Sequence, residues 1–266
     1  MIRPSMRALL LLAAFILLQA CAHKGGTMTP EAVTQPEAVT QDEQIVDEQN
    51  NDDDSFNGEE TVTVYDPLEP FNRSMFYFND KLYFYALKPA AKGYAYVVPQ
   101  PARTGVRRFF SNITTPVRFV NSLLQFKIQT AGTELARFLI NTTVGVGGFM
   151  DPARDRWQIY KQDEDLGQTL GVLGAGPGIY ITWPVLGPSN VRDTVGFVGD
   201  LFLDPVNYMT YMDLTYLEIT AIHAYDRVNE TSLEIGAYEE IKETSLDPYT
   251  FIRDAYEQHR RSKIKE

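Results

Sequence analysis

A glycine-rich segment, "TLGVLGAGPGIYITWPVLGPS" (169–189), has the residue spacing that most suggests chemistry in this chain. Closely spaced glycines can cradle the phosphates of a nucleotide. That use requires a helix after the glycines or a Gly-Lys-Ser/Thr sequence. Here a proline and the β-prone "IYITWP" follow, and no lysine occurs between Lys161 and Lys242. We therefore predict no nucleotide site and interpret the glycines as hinges, since glycine adopts backbone angles closed to other residues. The four candidate hinge or gate positions are Gly174, Gly176, Gly178 and Gly187.

The other chemistry-bearing residues form neither a catalytic centre nor a metal site. The three histidines, His23, His223 and His259, include no His-x-x-x-His pair that could start a ligand set. Ser189 lies in "GPSNV", which lacks the second glycine of a nucleophile elbow. The sequence therefore predicts no enzyme, no bound metal and no cofactor.

The N-terminus predicts export and a lipid anchor. Two arginines precede an apolar run over residues 8–18. As a helix this run would rise only about 16 Å, too little for a hydrocarbon core of about 30 Å, and the pattern is typical of an export signal. The "LQAC" at its end resembles the bacterial lipobox, so we interpret residues 1–20 as a lipoprotein signal peptide and Cys21 as the lipid anchor. Ala22 stands where aspartate would indicate inner-membrane retention, which favours the outer membrane.

Residues 21–60 are predicted to be a lipidated, acidic and disordered tether. They repeat "PEAVTQ" in tandem and carry eleven carboxylates against one lysine, a composition that buries too little apolar surface to fold. The signal peptide carries +2 and the tether −10, so only −3 of the net charge of −11 remains for residues 61–266. A nearly neutral body argues against nucleic acid, which attracts a basic face. We predict that residues 61–266 form one domain.

Helix signals dominate this domain. Asp-Pro pairs favour helix starts, because aspartate accepts hydrogen bonds from the first free amides and proline suits the first turn. Glu69, three residues after Asp66, completes a capping-box pattern, whereas the pair at Asp151 could equally open a turn. The four pairs are Asp66-Pro67, Asp151-Pro152, Asp204-Pro205 and Asp247-Pro248.

The spacing of apolar residues supports the same interpretation. Apolar side chains recur three and four positions apart between residues 214 and 228, and again near the C-terminus, as on one face of a helix. Strand signals are sparse, and the best are Thr61–Tyr65 and Ile179–Trp183. We predict a mostly α-helical domain with one small hairpin.

The segment "YDPLEPFNRSMFYFNDKLYFYALKP" (65–89) is unusually aromatic for a soluble helix. A helix that is apolar nearly all round is either deeply buried or faces lipid. Tyrosine suits a membrane interface, since its ring is apolar and its hydroxyl stays wet. Both interpretations remain open, an aromatic core helix and a membrane-seated one. The candidate membrane-seated aromatics are Phe71, Phe76, Tyr77, Phe78, Tyr83 and Phe84.

Several motifs together resemble one family, the MlaA (VacJ) family of outer-membrane lipoproteins from Gram-negative bacteria. The resemblance covers residues 62 to 260 and leaves the acidic tether out. The motifs are "DPLEPFNRSMFYFN" (66–79), "VPQPARTGVRRFFSNITTPV" (98–117), "NSLLQ" (121–125), "RFLINTTVGVGGFMDPA" (137–153), "EDLGQTLGVLGAGPGIYITWPVLGPSNVRDTVG" (164–196) and "DPYTFIRDAYEQHR" (247–260).

The resemblance implies an all-α fold, a flat ring-shaped helical domain in the periplasmic leaflet with a central amphipathic channel and one small hairpin. It implies removal of mislocalised phospholipid from the outer leaflet, which maintains the lipid asymmetry of the outer membrane. The implied partners are phospholipid, an outer-membrane porin trimer and the soluble periplasmic carrier MlaC. The alternative function is a structural lipoprotein scaffold that organises porins or cell-surface spreading factors.

A headgroup channel needs a polar lining, and polar residues of these motifs are its candidates. For each of them the alternative is a buried hydrogen-bonding or salt-bridging role that holds helices together. The candidates are Asn72, Arg73, Asn79, Asn112, Asn121, Arg192 and Asp193.

Overall fold

The computed structural model describes residues 64–266, apart from the side chains of residues 210–212. A π-helical turn spans Tyr83–Leu87, and a 3-10 helix spans Pro205–Met212. Strands β1 (Tyr180–Trp183) and β2 (Gly187–Asn190) pair as a hairpin, so the predicted all-α fold with one small hairpin is confirmed. The helices are α1 (Glu69–Leu82), α2 (Lys88–Val97), α3 (Gln100–Ile113), α4 (Thr115–Leu124), α5 (Ile128–Thr143), α6 (Pro152–Trp157), α7 (Leu166–Val172), α8 (Val191–Asp200), α9 (Tyr216–Leu233), α10 (Ala237–Thr244) and α11 (Pro248–Lys265).

Several N-terminal predictions lie outside the described residues. These are the signal peptide (1–20), the lipid anchor Cys21 and the tether (21–60). The strand predicted over Thr61–Tyr65 begins outside them as well, and residues 64 and 65 have no regular structure. The carbonyl of Tyr65 nevertheless accepts a hydrogen bond of 3.1 Å from the amide of Tyr180 at the start of β1.

Three of the four Asp-Pro pairs begin helices as predicted. Asp151 caps α6 through the amide of Arg154, Asp247 caps α11, and Asp204 accepts from the second residue of the 3-10 helix. The capping box at Asp66 is wrong, because α1 starts at Glu69 after Leu68 and has no side-chain cap. The carboxylate of Asp66 instead accepts hydrogen bonds from Asn72 and Tyr249, which belong to α1 and α11.

The interior of this domain is polar. Among the described residues, buried polar and charged side chains outnumber buried apolar ones, and Asn72, Asn121 and Glu134 are wholly enclosed. Large apolar side chains are widely exposed instead, such as Phe126 at 82% and Tyr96 at 94% of their full surface. This distribution is the reverse of the one expected in water, where burial of apolar area drives folding.

Helix α9 shows this inverted polarity, with polar side chains buried and apolar ones exposed, within a single element. The apolar period between residues 214 and 228 correctly predicts a helix, which spans Tyr216–Leu233. The stripe does not face a core, since Leu217 is 78% exposed. The buried side of α9 carries Ile219 together with the polar residues Asn229 and Ser232.

Packed neighbours close into a circuit. Going round it, α1 adjoins the π-helical turn, which adjoins α2, and α2 packs on α9. Helix α9 packs on α3, α3 on α4, α4 on α7, and α7 on α8, which contacts β2. Since β2 pairs with β1 and β1 packs on α1, the chain of contacts returns to its start. A closed circuit of this kind is what a ring of helices requires.

The hairpin has a strained turn. Its strands are antiparallel, with Tyr180 opposite Asn190 and Trp183 opposite Gly187. In the turn, Val185 has a φ of 70°, a conformation that β-branched residues rarely adopt. An external contact must therefore hold the turn in place.

Two asparagines of α1 supply that contact. Seven residues apart, Asn72 and Asn79 lie on the same helix face, and each bonds the hairpin backbone with both ends of its amide. Asn72 donates to the carbonyl of Tyr180 and accepts from the amide of Thr182, at 3.0 and 2.8 Å. Asn79 donates to the carbonyl of Trp183 and accepts from the amide of Val185, at 2.8 and 2.7 Å. Helix α1 thus fastens one edge of the hairpin along its length.

We expect Asn72→Ala to lower the free energy of unfolding by roughly 2 to 4 kcal/mol, because it leaves buried backbone groups of β1 without partners. Thermal or denaturant unfolding followed by circular dichroism measures the change. Ser74→Ala is the matched control, since the Ser74 hydroxyl bonds only within α1, to the carbonyl of Pro70. Equal unfolding of the two variants would show that the clamp contributes nothing.

Candidate functional site

A cavity of about 870 Å³ lies among α3, α4, α5, α6, the segment after α6, and α9. Six basic and four acidic side chains line it, so the lining carries a formal charge of +2. Phe110, Val117 and Tyr160 contribute apolar surface to the same lining. The cavity is therefore amphipathic, with ten charged side chains in its lining that a charged group would meet.

Two buried ion pairs build the wall of the cavity. Arg118 of α4 bonds Glu134 of α5 at 2.7 Å, and the other carboxylate oxygen of Glu134 accepts from the amide of Gln162. Arg137 of α5 pairs with Asp151 at 2.9 Å and also donates to the carbonyl of Ile159. These guanidinium groups are saturated by protein partners, so they fix helix positions.

Other charges of the cavity are weakly held. The guanidinium of Arg154 makes no hydrogen bond or ion pair with any residue that the structure describes, and that of Arg108 lies 3.8 Å from Asp155. The carboxylate of Asp226 on α9 likewise has no hydrogen-bond partner in the described chain. Burial, and then the nearby Glu230, raise the pKa of Asp226 to about 6.

Of the seven polar residues proposed from the sequence, Asn112 lines this cavity. Its amide donates to the hydroxyl of Thr142 at 2.9 Å and so ties α3 to α5. Gly148 lies directly against it with a φ of +95°, and a Cβ there would stand 2.6 Å from that of Asn112. The close approach explains the glycine at this position.

The remaining candidates lie elsewhere. Asn72 and Asn79 hold the hairpin, and Arg73 bonds Asp247 at 2.7 Å and lies 4.5 Å above the Tyr249 ring, which joins α1 to α11. Asn121 donates to Asp200 at 2.8 Å and accepts from the Thr169 hydroxyl, between α4, α8 and α7.

Arg192 and Asp193 belong to a buried ion cluster. Asp193 accepts from Arg192 at 2.9 Å and from Arg260 of α11, which also binds Asp165 at the start of α7. Burial alone would raise the pKa of Asp193, but hydrogen bonds from Arg260 and Arg192 outweigh it and lower that pKa to about 2. The cluster holds α7, α8 and α11 together.

A smaller cavity of about 480 Å³ lies beside the hairpin. The ionic side chains of Asp193 and Arg260 form part of its lining, and the rest is largely apolar, including Trp183, Leu186 and Phe197. The structure thus places the hairpin over an amphipathic recess.

Three of the four candidate hinge glycines use the backbone freedom that the sequence suggested. Gly174, Gly178 and Gly187 have φ angles of +94°, +73° and +89°, whereas Gly176 is not among the positive-φ glycines of the described chain. Open space surrounds Gly174, Gly176 and Gly187. Their role as a gate stays a prediction.

The aromatic segment divides between both interpretations. Phe71, Tyr77 and Phe78 are exposed, with Tyr77 at 62%. The other three candidates are half-buried and pack against aromatic rings of α10 and α11: Phe76 on Tyr249, and Tyr83 and Phe84 on Tyr238.

Sequence reasoning did not single out the charged lining of the large cavity. A usable signal was present, because polar residues recur three or four positions apart on otherwise apolar helices, as Arg118, Asn121 and Ser122 do on α4. The same pattern on α5 comprises Glu134, Arg137 and Asn141. In a domain with a polar interior and an apolar surface, such a polar stripe marks the buried face of the helix.

Comparisons with known proteins agree with this geometry. A family model described as "MlaA lipoprotein" matches residues 64–263. An uncharacterized protein of Rickettsia conorii is 32% identical over 210 residues, which cover 79% of this chain and 82% of the relative. The "Intermembrane phospholipid transport system lipoprotein MlaA" of Escherichia coli (strain K12) is 34% identical over 197 residues, or 73% and 76% of the two chains. A solved structure from work on the "Structural basis for maintenance of bacterial outer membrane lipid asymmetry" matches with a TM-score of 0.65 and 31% identity, covering 75% of this chain and 98% of that one. Within residues 64–266, no helix is both long and apolar enough to cross a membrane.

We expect Asp193→Asn to lower the free energy of unfolding at pH 7 by about 3 to 5 kcal/mol, because it leaves two buried arginines short of a counter-charge. The pKa of Asp193 lies below the unfolded value of about 3.9, so its contribution is complete above about pH 4 and is lost as the pH falls towards 2. Unfolding measured from pH 7 to pH 2 should show the gap between variant and wild type narrowing.

The control is Asp163→Asn, since Asp163 is largely exposed and, among residues 64–266, pairs only with Lys161. It should change stability by less than about 0.5 kcal/mol at any pH. A gap for Asp193→Asn that stays constant over this pH range would contradict the assignment.

Proposed function

This chain belongs to the MlaA lipoprotein family, and we propose that it removes mislocalised phospholipid from the outer leaflet of the outer membrane. The lipid passes through an amphipathic channel of the helical domain to a periplasmic carrier. The Escherichia coli relative is named as a lipoprotein of an intermembrane phospholipid transport system. That name supports phospholipid as the substrate class.

The inverted polarity of the domain is the observation that carries this proposal. Exposed side chains such as Tyr96, Phe126 and Phe202 each present apolar area, and contact with water costs about 25 cal/mol per Å² of it. Contact with acyl chains removes that cost. A domain seated in the periplasmic leaflet therefore gains from a surface that would be unfavourable in water.

The large cavity is our candidate for the channel. Its charged and hydroxyl-bearing lining suits the phosphate and other polar groups of a lipid headgroup, which an apolar bilayer core excludes. Acyl chains can remain at the apolar outer face while the headgroup crosses. The anchor Cys21 and the tether, both outside the described residues, would hold the domain at the periplasmic face of the outer membrane.

We propose the hairpin as the gate of this passage. The glycines Gly174 and Gly178 lie before β1, and Gly187 lies within the hairpin at the start of β2, so backbone freedom exists both before the hairpin and inside it. Asn72 and Asn79 hold one edge of the hairpin. The amphipathic recess beside it can accept part of a lipid when the hairpin shifts. A porin trimer and the carrier MlaC are the proposed partners.

We expect a bulky side chain in the cavity to abolish transport without affecting anchoring. Ser111 lines the cavity and its hydroxyl makes no hydrogen bond within the described residues, so Ser111→Trp narrows the space and removes no side-chain hydrogen bond. In a strain lacking the protein, Ser111→Trp should fail to lower outer-leaflet phospholipid, measured by its accessibility to added phospholipase on intact cells. Tyr96→Trp, on the exposed outer surface, is the control and should restore asymmetry.

The same experiment separates the alternative function. A scaffold that organises porins or spreading factors would tolerate an obstructed cavity, so both variants would then rescue equally at equal abundance. Chemically altered lipid, detected by mass spectrometry, would instead indicate an enzyme.

We expect a disulfide between the hairpin and α8 to prevent movement of the proposed gate. The hydroxyls of Ser189 on β2 and Thr194 on α8 lie 3.1 Å apart, so Ser189→Cys with Thr194→Cys places two sulfurs within bonding reach. Lipid transfer to the carrier should fall several-fold on oxidation and recover on reduction. Ser189→Cys alone is the control, and equal transfer in the oxidised and reduced double variant would refute gating by the hairpin.

A further inference from the structure

The charges of the large cavity are unevenly distributed among its elements. Its basic residues come from α3, α4, α5, α6 and the segment after α6, whereas α9 contributes only the carboxylates Asp226 and Glu230 to the lining. The other two acids of the lining, Asp151 and Asp163, lie among the basic elements and are paired with Arg137 and Lys161. The excess of positive charge therefore lies away from α9, whose charged contribution is wholly negative. Such a layout suits a ligand that carries both signs of charge.

The groups available to a ligand can be identified from their partners. Arg118 and Arg137 are engaged by Glu134 and Asp151, so they cannot turn to a ligand without breaking buried pairs. Arg154 makes no ion pair or hydrogen bond with the described residues, and Arg108 has one weak partner, at 3.8 Å. These two guanidinium groups can bind a phosphate.

One carboxylate of α9 is similarly available. Glu230 pairs with Arg227 at 3.3 Å, but Asp226 accepts no hydrogen bond from any described residue. Burial, Glu230 and Asp204 disfavour its charged form and raise its pKa, and the opposing effect of Arg227 is too small to offset them. A half-buried carboxylate without a partner costs free energy, and a cationic ligand group would remove that cost.

We propose that the cavity selects phospholipids whose headgroup bears a primary amine, with the phosphate held by Arg154 and Arg108 and the ammonium by Asp226. The inference rests on the proposed function and names the substrate class of the same passage. A phosphoethanolamine headgroup provides both charges a few bonds apart, within a cavity of about 870 Å³. A phosphoglycerol headgroup provides only the negative charge, and so leaves Asp226 unpaired.

Photo-crosslinking from inside the cavity tests this proposal. Tyr160 lines the cavity and is exposed, so a photoreactive benzoyl-phenylalanine in its place captures lipid there. The full-length lipidated protein is incorporated into nanodiscs containing equal amounts of phosphatidylethanolamine and phosphatidylglycerol, and mass spectrometry counts the two adducts. The same probe in place of Tyr96 reports the surrounding bilayer.

We expect phosphatidylethanolamine adducts to exceed phosphatidylglycerol adducts about tenfold at the cavity, the value of one hydrogen bond to a charged group, and to equal them at the Tyr96 position. Asp226→Asn should bring the cavity ratio close to one, and Asp226→Glu should retain the preference. Arg154→Gln should lower both adducts without changing their ratio. The controls Glu243→Gln and Arg261→Gln, exposed and outside the cavity, should change neither quantity.

The outcomes separate this inference from the function on which it rests. Equal adducts in the wild type, or an unchanged ratio in Asp226→Asn, would overturn headgroup selection and leave transport standing. Absence of any lipid adduct at the cavity would overturn both. Asp226→Asn should unfold at the same temperature as the wild type or higher, because it removes a charge that burial disfavours. The ratio of the two lipid adducts does not depend on the amount of folded protein.

Discussion

Every buried polar group of this domain has to find a partner, because the interior is made of amides, hydroxyls and ions. Among the buried side-chain atoms that the structure describes, only Gln125 Oε1 and Gln168 Oε1 lack a hydrogen-bond partner. A hydrogen bond contributes about 1 kcal/mol net, whereas an orphaned buried group costs about 1 to 3 kcal/mol. The hydrogen-bond network therefore adds little net stability, but it disfavours any other arrangement in which a buried polar group would lose its partner.

This requirement explains how a hairpin of two four-residue strands keeps its position. Its strands are too short to stand alone, and Val185 has an unfavourable backbone angle in the turn. Asn72 and Asn79 complete the backbone hydrogen bonds along one edge, while Asn190 at the other end caps α8 and bonds Glu257 of α11. A displacement of the hairpin would break these bonds together, so they hold it in the position that the structure shows.

Much of the fold could be predicted from the sequence, since period and turn chemistry act locally. The helical period of α9, the Asp-Pro starts of α6 and α11, and the strand near Tyr180 all follow from neighbouring residues. The face that each helix buries could not be predicted, because an amphipathic period is the same whether water or lipid surrounds it. Contacts between distant parts of the chain could not be predicted either. Asp66 bonds Asn72 and Tyr249, which lie 6 and 183 residues away, and no local sequence pattern indicates the contact with Tyr249.

The polar interior and apolar surface of this domain also limit how a functional residue can be recognised. In a water-soluble protein a buried polar side chain stands out against an apolar core. In the sequence, Asn72, Asn121 and Asp193 are candidates for a channel lining because they are polar residues of the shared motifs. Here polar burial is the rule, so the informative property is an unfilled bonding capacity. Asn72 and Asp193 have their partners within the protein, while Arg154 and Asp226 line a cavity with none among the described residues. Arg154 is exposed and Asp226 is half-buried, but both line one cavity, so a ligand that carries the two complementary charges would partner both at once.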